Sequence, residues 1–129
     1  MRLTICLTAA LALVATSTPT VGKPASKAAA FQLNTTTWTY VDKKSGKLKE
    51  SIDADGNYIT QTIAGKHVDH GTAVMKDDKA CFTSAMTKEG EVCWTTRPVK
   101  IGHSMMTTSD KGRKLKVRRV AYVKMSMPK

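Results

Sequence analysis

The sequence predicts an all-β fold, an antiparallel eight-strand meander that closes as an up-and-down barrel or curls into a half-barrel. Turn-forming clusters recur about every 11 residues from Thr36 onward, a spacing that leaves room for strands but not for crossover helices. The segments between the clusters are rich in Thr, Val, Ile, Tyr and Trp, as strands are. The clusters are Lys43–Gly46, Asp53–Asn57, Ala64–Lys66, Lys76–Lys79, Thr87–Gly90, Arg97–Pro98 and Ser109–Gly112.

Several of these segments alternate with the period of two that strands show. Along residues 57–63 the isoleucines share one face and the threonines take the other. Along residues 114–117 two lysines alternate with a leucine and a valine. The pair Arg118-Arg119 breaks that phase, so we expect a β-bulge there that returns Val120 to the buried side.

A meander can hide the unpaired edges of its sheet only by closing, and a barrel is therefore favoured over a two-sheet sandwich. The barrel-like domain is expected over residues 36–125. Residues 23–35 lack strand alternation and are rich in Ala, Pro, Ser and Lys, which predicts a flexible arm.

Residues 1–22 have the layout of a secretory signal peptide. A positive start precedes Leu3–Ala15, an uncharged and mostly apolar run that is shorter than the roughly 20 residues that span a bilayer. Small and turn-forming residues follow, with cleavage after Ser17 and cleavage after Gly22 both fitting. The sequence thus predicts an exported protein, periplasmic or secreted, with no transmembrane span.

Export would leave two cysteines in the mature protein. Cys6 is removed with the signal peptide, whereas Cys81 and Cys93 remain. Two cysteines in an oxidising compartment most simply form one disulfide. This bridge would join the strands on either side of the 87–90 turn and stabilise the fold by about 3 kcal/mol on the chain-entropy account. The spacing fits neither a CxxC redox motif nor a zinc knuckle, so we expect a structural disulfide.

The formal net charge is +11, and basic side chains gather near the C-terminus. On an extended strand Lys114, Lys116 and Arg118 project from one face about 7 Å apart, and Arg119 follows them. We expect these four residues to bind an anionic lipid, a polysaccharide or an acidic protein. The alternative is a solvated face whose charge prevents aggregation. Nucleic acid is not expected, because stacking aromatics do not interleave with the charges.

Metal binding is a second hypothesis. His103 lies beside Met105 and Met106, and His67 and His70 occur earlier in the chain. Thioether ligands suit Cu(I), a metal handled outside the cytoplasm. On a regular strand the two earlier histidines lie on opposite faces and converge only if a turn intervenes. The alternative is that the methionines fill the core and that the protein has no cofactor.

A tryptophan at the start of the first strand, eight short strands and an arginine on the last strand resemble the lipocalin-like small barrels. In that family the tryptophan closes one end of the barrel and the arginine lies across its ring. The resemblance implies a barrel-end pair of Trp38 with Arg118, or with Arg119. Thr36 stands where the family usually has glycine. The chain also resembles small exported proteins of Gram-negative bacteria, which implies no activity.

The sequence lacks the GxSxG, HExxH and P-loop motifs, so no enzymatic activity is expected. We expect an exported, non-catalytic binding domain whose basic C-terminal strand contacts an anionic envelope or extracellular partner. Periplasmic copper binding is the first alternative, and inhibition of a secreted enzyme or carriage of a small ligand are others. The sequence leaves open whether the interior is filled by its own side chains or holds a small apolar ligand.

Overall fold

The computed structural model describes residues 31–129. The predicted signal peptide and residues 23–30 of the predicted arm lie outside the described residues. Within 31–129 all regular elements are strands, and no helix that could cross a membrane occurs there. The strands are β1 (Thr36–Asp42), β2 (Gly46–Ile52), β3 (Asn57–Thr62), β4 (His67–Lys76), β5 (Lys79–Ser84), β6 (Glu91–Thr95), β7 (Ser104–Thr108) and β8 (Lys114–Val120).

The eight strands form one antiparallel sheet in the spatial order β6-β5-β4-β3-β2-β1-β8-β7. Because β1 pairs with both β2 and β8, the sheet curls back on itself into a nearly closed barrel. A seam remains between β6 and β7, where an isolated bridge joins Trp94 to Ser109, the residue after β7. Thr95 also accepts hydrogen bonds from the Thr107 hydroxyl and the Thr108 backbone N–H across this seam. Next to it the Asp110 backbone N–H donates to the Cys93 carbonyl at 2.9 Å. The predicted meander and barrel are confirmed, with this seam unsealed.

The predicted disulfide is also present. Cys81 on β5 and Cys93 on β6 are register partners, and their Sγ atoms are 2.12 Å apart. Strand β6 has a ladder partner on one side only, because its other side faces the seam. The bridge therefore fastens this edge strand to the rest of the sheet.

The β2–β3 turn shows why the turn-forming residues are needed. Asp53 Oδ1 accepts hydrogen bonds from the backbone N–H groups of Asp55 and Asn57, both at 2.9 Å. Gly56 adopts a φ of 84°, and a Cβ there would lie 2.9 Å from the Ala73 carbonyl oxygen. Only glycine combines this conformation with so close an approach of the backbone.

The two ends of the barrel differ. Strands alternate in direction, so the β1–β2, β3–β4, β5–β6 and β7–β8 turns lie at one end, here called the open end. The other end, here called the closed end, is plugged by Leu33, which precedes β1, and by Val99 in the β6–β7 loop; both are buried. The buried core cluster is Leu33, Trp38, Ile52, Tyr58, Ala73, Ala80, Val99, Met105 and Val117.

The bulge predicted at Arg118-Arg119 does not occur. β8 pairs with β1 and with β7 without any change of register. The side chain of Arg119 therefore faces inward, as that of Val117 does, and the side chain of Val120 faces outward. The regular ladders on both sides of β8 leave no extra residue to restore Val120 to the inside, and that prediction was wrong.

A register shift occurs on β4 instead. Thr60 pairs with Asp69 whereas Gln61 pairs with His67, so Val68 is the extra residue. A bulge of this kind lets two successive residues face the same side of the sheet. Val68 and Asp69 both face the barrel interior, which leaves the histidines on either side of them on the outer face.

Candidate binding sites on the two faces of the barrel wall

The outer face of β8 carries the predicted basic ladder. Lys114, Lys116 and Arg118 are all exposed, and the residues between them face inward. The ladder widens sideways through β1, because Thr39 pairs with Arg118 on one side and with Lys49 of β2 on the other. Because β1 pairs with both β2 and β8, basic side chains that are far apart in sequence lie on the same outer surface.

Lys47 shares the outer face of β2 with Lys49, two residues further along the strand. Together the basic side chains of β2 and β8 form a surface that we call the basic face: Lys47, Lys49, Lys114, Lys116 and Arg118. Two apolar side chains lie exposed among them. Val41, the register partner of Lys47, is 66% exposed, and Met106, the partner of Lys116, is 62% exposed.

The charges of the basic face are not neutralised by any carboxylate of residues 31–129. The ion pairs in that part of the chain involve Glu89 and Glu91, near the β5–β6 turn, and none reaches the basic face. Arg118 donates from Nε to the Gly102 carbonyl at 3.1 Å, a bond that leaves its charge uncompensated. The basic face is therefore a concentrated positive surface.

Arg119, the fourth residue of the predicted anion-binding set, lies away from the basic face. Its guanidinium donates to the Val99 carbonyl at 2.9 Å and lies 5.9 Å from the centre of the Phe31 ring. Phe31 packs edge-on against Trp38, with ring centres 6.2 Å apart. Arg119 therefore helps to close the barrel.

Of the two arginines implied as partners of Trp38 at the barrel end, Arg119 is its register partner and Arg118 is not. Without a bulge Arg118 takes the outward phase of β8, while Trp38 is buried and donates from Nε1 to Thr36 Oγ1 at 2.9 Å. Phe31, through which Arg119 reaches this end, was not anticipated. It lies in the predicted arm, where no alternation marks a core residue.

The barrel interior is open rather than filled. A cavity of about 830 Å³, here called the cup, opens between the β1–β2, β5–β6 and β7–β8 turns. Eight strands leave an interior wide enough either for side chains or for one small ligand, and here space for a ligand remains. Of the two alternatives left open by the sequence, the cavity favours space for a small ligand. The apolar wall consists of Trp38, Leu48, Phe82, Val92, Met105, Leu115 and Val117.

Two carboxyl side chains interrupt this apolar wall. Glu50 of β2 and Asp69 of β4 are both register partners of Thr60, so they lie in one row across three strands. Glu50 Oε2 accepts hydrogen bonds from Thr60 Oγ1 at 2.8 Å and from the Tyr40 hydroxyl at 3.1 Å. Burial raises the pKa of Glu50 to about 7, and the nearby charge of Asp69 acts in the same direction.

Asp69 is held on both of its oxygens. Oδ1 accepts a hydrogen bond from Ser84 Oγ at 2.6 Å, and Oδ2 accepts one from the Tyr58 hydroxyl at 2.8 Å. Burial raises the pKa of Tyr58 above its usual range, so its hydroxyl keeps the proton that it donates. Glu50 differs, because its Oε1 accepts no hydrogen bond from residues 31–129.

The role of Glu50 was missed at the level of the sequence, although a signal was present. Leu48, Glu50 and Ile52 share one phase of β2, and both flanking residues are among the most buried of the described chain. An acidic residue between two core positions of an alternating strand indicates a carboxyl group that faces the interior.

The residues proposed as metal ligands do not gather into one site. Met105 is buried inside the barrel and its neighbour Met106 is exposed on the outer face, because successive strand residues face opposite sides. His103 is exposed just before β7. These three side chains therefore do not converge.

His67 and His70 do converge, with Nε2 of the first 3.3 Å from Nδ1 of the second. The β4 bulge brings them to one face, although no turn separates them. Two imidazoles are fewer than the three or four protein ligands of typical zinc sites. The one group of three possible ligands within 31–129 is Cys81, Glu91 and Cys93, whose sulfurs are bonded to each other.

Comparison with known protein families, with curated proteins and with solved structures finds no match to this chain. The resemblance to lipocalin-like barrels therefore stays a prediction.

Proposed function

We propose that this chain is an exported, non-catalytic binding protein that docks on an anionic lipid surface of the cell envelope through its basic face. The observation that carries the proposal is the set of five cationic side chains on the outer face of the sheet formed by β2, β1 and β8, with no carboxylate of residues 31–129 paired to them. The Cys81–Cys93 disulfide supports export, because such bridges persist in oxidising compartments.

The basic face has the two components of reversible membrane binding. Each cation near an anionic membrane contributes about 1 kcal/mol, so a cluster of this size gives useful affinity without a membrane span. Val41 and Met106 add exposed apolar surface that fits the boundary between headgroups and acyl chains. Binding of this type weakens as salt screens the charges.

The side chains that surround the basic residues favour lipid over the other anionic partners. The aromatic side chains of β1, Trp38 and Tyr40, line the interior, so they offer no platform on which bases could stack. A polysaccharide or an acidic protein surface would satisfy the cations but would leave Val41 and Met106 without a role.

The decisive experiment removes the ladder on β8. We expect the triple variant Lys114→Gln, Lys116→Gln, Arg118→Gln to bind vesicles of phosphatidylglycerol and phosphatidylcholine about 100-fold more weakly than the unchanged protein, since it loses about 3 kcal/mol of attraction. Co-sedimentation with the vesicles over a series of salt concentrations measures the effect.

A matched control removes the same charge elsewhere. Lys66, Lys79 and Lys88 are exposed and lie outside the basic face, so their triple replacement by Gln should leave vesicle binding close to that of the unchanged protein. An equal loss in both triple variants would contradict the proposal, because it would show attraction by net charge alone. Binding that does not respond to salt would contradict it as well.

A further pair of substitutions separates lipid from other polyanions. Val41→Ser with Met106→Ser keeps every charge but removes the exposed apolar surface. Vesicle binding should weaken while retention on heparin stays unchanged. Unchanged vesicle binding in this variant would favour a polysaccharide or acidic protein partner instead.

A further inference from the structure

The cup combines an apolar wall with the carboxyl group of Glu50, and it lies on the opposite side of the barrel wall from the basic face. We infer that the cup binds an amphiphilic organic ammonium ion, with the ammonium group held by the Glu50 carboxylate and the apolar body packed against the wall. This site is separate from the basic face and does not depend on membrane docking.

The Glu50 carboxylate is positioned to receive a donor. Thr60 and Tyr40 both donate to Oε2, at 2.8 and 3.1 Å, and so fix the orientation of the group. Glu50 lines the cup, and its Oε1 accepts no hydrogen bond from residues 31–129. A ligand that donates a hydrogen bond would complete the set around this carboxylate.

The negative charge around Glu50 favours a cationic ligand over a neutral or anionic one. The ion pairs of residues 31–129 include neither Glu50 nor Asp69, so two carboxyl groups lie in the interior without a positive partner. Both oxygens of Asp69 are occupied by the hydroxyls of Tyr58 and Ser84. Asp69 therefore adds negative potential, while Glu50 offers the contact atom.

The wall requires that the ligand carry an apolar body. Leu48 precedes Glu50 by two residues on the same inward phase, and Leu115 and Val117 face the cup from β8. A fully hydrated inorganic ion would leave this surface uncovered. The rim carries more cationic than acidic side chains, namely Lys43, Lys44, Arg113 and Lys114 against Asp42 and Glu89. The rim therefore does not favour a cation, and preference for a cation depends on Glu50 and Asp69 deeper in the cup.

Three probes of equal chain length test the inference on the full secreted chain: octylammonium, octan-1-ol and octanoate. Trp38 and Trp94 line the cup, so tryptophan fluorescence reports occupancy, with calorimetry as a second measurement. Octylammonium is expected to bind at least tenfold more tightly than the alcohol and more tightly still than the carboxylate. Equal affinity for the ammonium ion and the alcohol, or preference for octanoate, would overturn the inference.

Substitution of the anchor gives a second test. Glu50→Gln keeps the size of the side chain but removes its charge, and octylammonium affinity should fall at least tenfold while octanol affinity is unchanged. Glu91→Gln is the matched control, since Glu91 lies exposed on the outer face, paired with Lys76 at 2.8 Å. Equal octylammonium affinity in Glu50→Gln and in the unchanged protein would refute the role of Glu50.

The pH dependence of the unchanged protein tests the same contact without any variant. The groups that face Glu50 are Tyr40 from β1, Thr60 and Tyr58 from β3, and Asp69 from β4. Burial raises the pKa of both tyrosines, so they stay neutral, and burial raises the pKa of Glu50 to about 7. Octylammonium should bind more tightly at pH 8 than at pH 6, with octanol as the insensitive reference. A flat profile for octylammonium would overturn the inference.

Discussion

The two faces of β2 carry opposite chemistry although their residues alternate along one strand. Lys47 and Lys49 point outward into the basic face, whereas Leu48, Glu50 and Ile52 point inward. The same division extends across the barrel wall, since the outer face of β8 is basic and its inner face is apolar. Adjacent residues of a strand, separated by a rise of about 3.3 Å, can therefore carry opposite charges and still face different environments.

The difference shows why net charge is a poor guide to what this protein binds. The formal charge of +11 reflects the excess of Lys and Arg over Asp and Glu in the whole sequence. It conceals two acidic groups on the inner side of the barrel wall, Glu50 and Asp69, which belong to no ion pair of residues 31–129. We propose an anionic partner for the outer face and a cationic ligand for the inner face. Substitutions at inner positions, each compared with a substitution at a neighbouring outer position, test this division.

The largest effect is expected at Gly71, which takes the inward phase of β4. A Cβ at this position would collide with the backbone carbonyl oxygen of Thr83 on β5, so Gly71→Val has to push two paired strands apart. We expect a loss of more than about 4 kcal/mol in the free energy of unfolding, or no folded protein. The next residue, Thr72, is exposed on the outer face, and Thr72→Val should change stability by less than about 0.5 kcal/mol.

Urea unfolding followed by circular dichroism measures both variants. A folded Gly71→Val protein of unchanged stability would show that β4 and β5 separate more easily than their register indicates.

A smaller difference is expected between neighbours on β2. Leu48 is 4% exposed and lines the cup, so Leu48→Ala should cost about 2–4 kcal/mol in unfolding free energy. Lys49→Ala should change it by less than about 0.5 kcal/mol, because the side chain lies on the outer face and belongs to no ion pair of residues 31–129. The measurement is the urea midpoint of each variant. Similar losses for the two would mean that the alternation along β2 does not separate core from surface.

Much of the fold follows from local sequence signals. The turn clusters, the alternating segments and the cysteine pair are all properties of short stretches, and the predicted meander, barrel and disulfide are present in the structure. The orientation of Lys114, Lys116 and Arg118 also follows from alternation within one strand.

The parts that could not be predicted depend on which strands become neighbours. Lys49 joins the basic face only because β1 pairs with β8, a contact between the two ends of the domain. The convergence of His67 and His70 depends on one extra residue in β4, which no turn-forming residue marks. The cup depends on how completely side chains fill the barrel, a property of summed volumes across all strands.

The smallest expected difference concerns a carboxyl group outside the barrel and one inside it, which respond differently to pH. Backbone N–H groups of Ser45 and Lys44 donate to Asp42 in the exposed β1–β2 turn and lower its pKa. Burial inside the barrel raises the pKa of Glu50 from 4.5 to about 7. As pH rises, deprotonation of Asp42 therefore stabilises the fold, whereas deprotonation of Glu50 destabilises it. Of the two groups, only Glu50 changes its protonation between pH 4.5 and about 7.

Below pH 4.5 Glu50 is protonated in both the folded and the unfolded chain, and its favourable contribution to stability is complete. As pH rises towards 7 the unfolded chain releases this proton first, so the folded state binds more protons and its stability falls. The loss is complete once pH exceeds the folded value of about 7, and it amounts to on the order of 2 kcal/mol, since contact with the cup moderates the effect of burial. Urea unfolding at intervals from pH 4 to pH 8 should show this decline in the unchanged protein and a flatter profile in Glu50→Gln, whereas Asp42→Asn should keep the decline. Parallel profiles for the unchanged protein and Glu50→Gln would show that the Glu50 carboxyl is as accessible to water as the Asp42 carboxyl in the turn. The inner and outer faces would then not differ in their effect on the pKa of a carboxyl group.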